Sequence, residues 1–192
     1  MNAFEWASAT VPAEPPAEFY CRTSDVWQGR FSKLDPLLTK QGVASNRAAL
    51  IASAIGEIGD NCFTHNAPGW IDVPGCWFEY QIAQEVHCFV ADRGRGILAS
   101  LKAVRPSLST HADALLVALT ERITGRAPEK RGNGLKYVLN VLRQIPNGSF
   151  RLQSGNAIFT CALPLDGTNI KSYITQSATS VRGTYAEIVF KI

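Results

Sequence analysis

No apolar run in this sequence approaches the roughly 18 residues that a membrane-spanning helix needs. The first residues, Met1 to Glu5, lack a basic stretch followed by an apolar one, so no secretion signal is expected and the chain reads as soluble and cytoplasmic. Blocks of about five or more like charges are also missing. With a formal net charge of only +3, composition gives no case for nucleic acid or for an acidic membrane surface. Cys21, Cys62, Cys76, Cys88 and Cys161 never fall into a Cys-x-x-Cys pair, which removes metal-ligand spacing. Most of them sit in apolar runs, where a reduced, buried thiol is the ordinary role.

What is present is material for one core. A chain of 192 residues with 46% hydrophobic content can bury a single domain well and is short for two. Residues 1 to about 29 contain the Pro-rich Val11 to Ala17 and read as an extended arm, and Phe31 to Lys40 reads as a short helix. A longer helix is expected from Ser45 or Asn46, either of them a candidate N-cap, to His65. Short strands follow at Trp70–Val73, Cys76–Ile82 and Val86–Ala91. The stretch from Ile97 to Arg131 is less regular, with a helix from about His111 to Ile123. Another helix spans Leu135–Gln144, and strands at Ser149–Gln153, Ala157–Leu163 and Thr184–Ile192 close the chain, with a polar loop from Asp166 to Arg182. This order suits an α/β (α+β) two-layer sandwich: a mixed, mostly antiparallel sheet with helices packed on one face.

Three stretches can carry chemistry. On the long helix, at about 100° per residue, Ile51, Ala54, Ile55, Ile58 and Cys62 make an apolar stripe. Glu57, Asn61 and His65 make a second, polar stripe beside it. Taken alone, that second stripe is most simply a solvated face; at the edge of a cleft, the Asn61 amide oxygen suits a magnesium ion and Glu57 suits a proton acceptor. Next, Asp92-x-Gly94-x-Gly96 ends an apolar strand, where a carboxylate can accept from an exocyclic amine and glycines let the backbone pass a flat ring. Taken alone it is also a common turn. Finally, Arg131-Gly132-Asn-Gly134-Leu135 places backbone N–H groups at a helix start, either a plain loop-to-helix turn or a ready phosphate site, and it is neither a Walker loop nor a Rossmann turn.

Glu57-x-x-x-Asn61 with His65, then Asp92-x-Gly-x-Gly96-Ile97, then Gly132-x-Gly134-Leu135 resemble the N, G1 and G2 boxes of the GHKL ATPase superfamily. The resemblance runs from about residue 45 to the end. It implies an N-terminal arm and short helix over 1–44 and an ATP-binding domain over 45–192, with an ATP lid at about 97–131. It further implies that Asp92 and Thr184 meet the adenine, that Asn61 binds Mg2+, and that Gly132 and Gly134 line the phosphates of ATP, with Arg131 and Leu135 beside them. His65, Gly94, Gly96 and Ile97 complete the implied binding set, and Glu57 matches the acid that activates water or an acceptor group. Two positions depart from the pattern: Thr64 stands where a basic residue is often found, and Arg93 replaces a small polar residue.

Within that family, the roughly 45 residues ahead of the first box contain no histidine, so autophosphorylation of the histidine-kinase kind is not expected. A transducer domain of the gyrase and MutL kind is likewise not expected. The implied function is an ATP-dependent signalling protein, a protein (serine) kinase or ATPase, that acts on a protein partner. The alternative is a nucleotide-gated binding module without useful catalysis, and a third possibility is a degenerate relative that binds no nucleotide. A homodimer is among the candidate assemblies; nucleic acid and membrane are not expected partners.

Overall fold

The computed structural model describes residues 1–66, 69–123 and 133–192. Its centre is a five-stranded sheet in the order β1-β2-β3-β5-β4. The strands are β1 Tyr20–Cys21, β2 Cys76–Ile82, β3 Glu85–Asp92, β4 Gly148–Leu163 and β5 Ile174–Lys191, and each pairing is antiparallel. Alternation sets the two faces. Phe78, Val86, Val90, Phe150, Ile188 and Phe190 point into the main core, and the odd-numbered neighbours Trp77, Ala91 and Tyr185 point the other way.

The main face is covered by α4 (Ser45–Thr64), α6 (His111–Thr120) and α7 (Gly134–Leu142), with α2 (Ser24–Phe31) and α3 (Leu34–Lys40) outside α4. The apolar stripe on α4 is buried at Ile51, Ala54, Ile55, Ile58 and Cys62, as its period requires. The result is the expected two-layer α/β sandwich. The side-chain cap expected from Ser45 or Asn46 is not formed; Ala44 is the N-cap, and Arg47 instead binds the Pro146 and Lys191 carbonyls.

The first 44 residues are not a loose arm. Helix α1 (Ala3–Ser8), closed by a capping box between Asn2 and Glu5, buries Trp6 and Ala7 on the opposite face of the sheet, beside Trp77 and Tyr185. The Pro-rich segment returns over it, its Ala13 carbonyl accepting from Trp6 Nε1 at 2.6 Å. Three further expectations change. Trp70–Val73 is not a strand: Trp70 packs edge-on against Phe63, and Asp72 serves an ion pair. The two strands expected between Ser149 and Leu163 are one long β4, bent at Gly155, whose φ of 56° is a left-handed bulge conformation. Half of the polar loop is β5, which begins at Ile174.

The stretch expected to form a lid also divides. A short helix, α5 (Gly96–Lys102), follows Asp92 directly, and α6 is anchored in the main core by Leu115 and Leu119. The remainder, 124–131, lies outside the described residues. All five cysteines are free and buried. Among the described residues, no helix is long and apolar enough to cross a membrane.

Candidate functional site

Sheet register stacks short polar side chains in one row. Cys76, Asp92, Thr184 and Ser154 are successive partners across β2, β3, β5 and β4, so their side chains leave the same side of the pleat, toward α4. The row two residues away is wholly apolar: Phe78, Val90, Ala186 and Leu152. Where the apolar row gives way to the polar one, the helical layer no longer fills the space. A cleft of about 430 Å³ opens there, with Asp92 and Thr184 among its walls.

Asp92 is 2% exposed, and its carboxylate receives four hydrogen bonds. Oδ1 accepts from the Gly94 N–H at 2.8 Å and from Asn66 Nδ2 at 3.1 Å. Oδ2 accepts from the Thr184 N–H at 3.2 Å and from the Thr184 hydroxyl. Burial pushes its pKa above the ordinary 3.8, opposed by these hydrogen bonds, which stabilise the ionised form. At the β2 end of this row, burial pushes the Cys76 thiol well up, so it is a neutral packing group.

The turn after Asp92 needs its glycines. Gly96 has a φ of 68°, and Ser154 Oγ accepts from the neighbouring Ile97 N–H at 2.9 Å while donating to the Gly183 carbonyl at 3.1 Å. A Cβ on Gly94 would fall inside the Asn66 carboxamide. Arg93 between them turns to the opposite face, fully buried, and donates to Asp72 Oδ2 at 2.7 Å and to the Trp6 carbonyl. Its departure from the motif pattern therefore has a structural cause: it ties α1 to the turn.

The facing wall is the polar stripe of α4. Glu57, Asn61 and His65 all line the cleft, joined by Gly134 and Leu135 at the start of α7 and by Ile97 and Ser100 of α5. A Cβ on Gly134 would stand 2.6 Å from Glu57 Oε2 and 3.6 Å from Asn61 Nδ2, so these three positions are in contact range. Helix α7 has no side-chain cap from Asn133, leaving first-turn N–H groups available. His65 Nδ1 and Ser100 Oγ share a hydrogen bond of 3.2 Å. Glu57 is exposed, and neither it nor Asn61 makes a side-chain hydrogen bond among the described residues. No group of three or more His, Cys, Asp or Glu side chains among them is placed to hold a metal, so a cation here would need ligand oxygens as well as Asn61.

The back of α4 is built to be gripped. Gly56 and Gly59 leave hollows that take Phe31 and Trp27 of α2, and a Cβ on Gly59 would overlap the Trp27 ring. Asp60 accepts from Trp27 Nε1 and Gln28 Nε2, both at 2.8 Å.

Nine of the expected residues thus line one cleft: Glu57, Asn61, His65, Asp92, Gly96, Ile97, Gly134, Leu135 and Thr184. Gly94 contributes its N–H to Asp92, and Arg131 and Gly132 lie outside the described residues. Sequence reasoning missed Ser100 and Asn66. Asn66 sits five positions after Asn61, just past the helix end, a place where asparagine reads as a simple stop signal. No protein-family model matches the chain and no curated protein matches it, so the functional reading stands on the geometry of this cleft.

Proposed function

We propose that this cleft binds ATP with Mg2+, and that the protein is a GHKL-type signalling protein acting on a protein partner as a kinase or an ATPase. The observation that carries the reading is Asp92: a buried carboxylate held by four hydrogen bonds on the wall of a cleft of nucleotide size. The surrounding residues fit the ligand. Asp92 and Thr184 can meet an exocyclic amine, Gly134 leaves open the space at the α7 N-terminus that a side chain would fill, and Asn61 on the cleft wall has an amide with a neutral oxygen. When bound, magnesium supplies positive charge against the phosphates. Glu57, at the same end as Gly134, is the group able to take a proton from water or from an acceptor hydroxyl.

A second reading, a nucleotide-gated binding module without turnover, is favoured by one observation: Glu57 is exposed and has no orienting partner among the described residues. Calorimetric titration with ATP, then a magnesium-dependent turnover assay on the wild type and Glu57→Ala, tests both. Binding with turnover that Glu57→Ala removes supports the enzyme. Binding without turnover supports the module, and absence of ATP binding rejects both.

A further inference from the structure

Asn66 belongs to none of the three motifs, yet it is 3% exposed and its polar atoms are engaged at the floor of the cleft. Its Nδ2 donates to the Cys62 carbonyl at 2.7 Å and to Asp92 Oδ1 at 3.1 Å; its Oδ1 accepts from the Arg95 N–H at 3.0 Å. Two acceptors face the nitrogen and one donor faces the oxygen, so the carboxamide has a single satisfactory orientation. The missing side chain of Gly94 is the space it occupies.

The consequence falls on Asp92. With Asn66 and the Gly94 N–H both on Oδ1, one oxygen is filled and the carboxylate cannot turn about its Cβ–Cγ bond without losing two buried hydrogen bonds. The other oxygen is held by the longer Thr184 amide contact and by a hydroxyl whose own lone pairs remain available. A carboxylate fixed in this way is an acceptor only. A carboxyl free to turn and take up a proton could instead donate, and would serve a 6-oxo group as well as a 6-amino group.

We propose that Asn66 is the positioning residue that fixes Asp92 as an acceptor, so that the cleft selects purines with a 6-amino group over purines with a 6-oxo group. This rests on the ATP reading and adds to it a residue and a specificity. The test compares dissociation constants for ATP and inosine triphosphate, measured by calorimetry on the wild type, Asn66→Leu and Asn66→Asp, with a thermal melt of each. Asn66→Asp keeps the shape and the Arg95 contact but turns an acceptor toward Asp92, so it serves as the second variant if the apolar one does not melt cooperatively. The expected result is a wild-type preference for ATP of about tenfold or more that collapses in the variants: ATP weakens about tenfold while inosine triphosphate changes less than about twofold. Parallel loss of both ligands, or an unchanged ratio, overturns the role of Asn66. A wild type that binds both equally overturns it as well and leaves ATP binding standing, whereas a wild type that binds neither rejects the ATP reading and this inference together.

Discussion

Asp92 is 2% exposed and receives four hydrogen bonds, whereas Glu57, across the same cleft, is exposed and receives none among the described residues. The two acids are set by different physics. Asp92 ends an internal strand, where register fixes its neighbours and the buried contacts of Arg93 with Asp72 and Trp6 brace the next residue from behind; Glu57 projects from the rim of a helix. A site assembled at one end and unset at the other spends no binding energy on ordering the first, and must spend some on the second. On the proposed ATP reading, base recognition is prepared in advance, while the Glu57 end waits for what the ligand brings.

Four measurements probe that contrast. The largest effect is expected from Arg93→Ala, which leaves Asp72 buried without its cation: a loss of about 3–5 kcal/mol in urea-unfolding stability. Asp92→Asn turns an amide nitrogen toward donors that now meet a carboxylate, and ATP affinity measured by calorimetry should fall on the order of a hundredfold. If that affinity is unchanged, the cleft is not an ATP site. Acidification is expected to act in the same direction by degrees. Since burial raises the Asp92 pKa above 3.8, lowering the pH through the raised value protonates the acceptor, and the preference for ATP over inosine triphosphate should shrink. The linked stability has the opposite sense: it is fully present below pH 3.8 and lost as pH rises through the folded pKa. The smallest effect on binding belongs to Glu57→Ala, where ATP affinity should stay within about threefold. Equal losses of ATP affinity for the Asp92 and Glu57 variants would erase the distinction between the two ends.

Much of this was legible in the sequence. The two stripes of α4 follow from helical periodicity, and the hairpin of β2 and β3 follows from alternation around a two-residue connection. What escaped depends on tertiary contacts. Helix α1 is six residues long, too short for a period to declare itself, and it is held by Trp6 against a face of the sheet that composition does not reveal. The strands on either side of Ser154-Gly155-Asn156 read as separate because a left-handed glycine serves a bulge and a turn alike. Residues 174–182 read as a loop because the far end of β5, which pairs with β4, carries mostly polar side chains. Asn66 was hidden by its ambiguity, since the same residue suits a helix stop and a buried clamp.

Asp92 and Arg93 are neighbours of opposite charge that the chain sends to opposite faces. A pairing error of one residue between β3 and β5 would exchange them, putting a cation in the cleft and a carboxylate under Trp6. The buried contact of Arg93 with Asp72 and the Trp6 carbonyl penalises that slip on one side of the sheet, and the four donors around Asp92 penalise it on the other. The first helix of the chain thus serves as a check on strand alignment: it fits only when the acid faces the cleft.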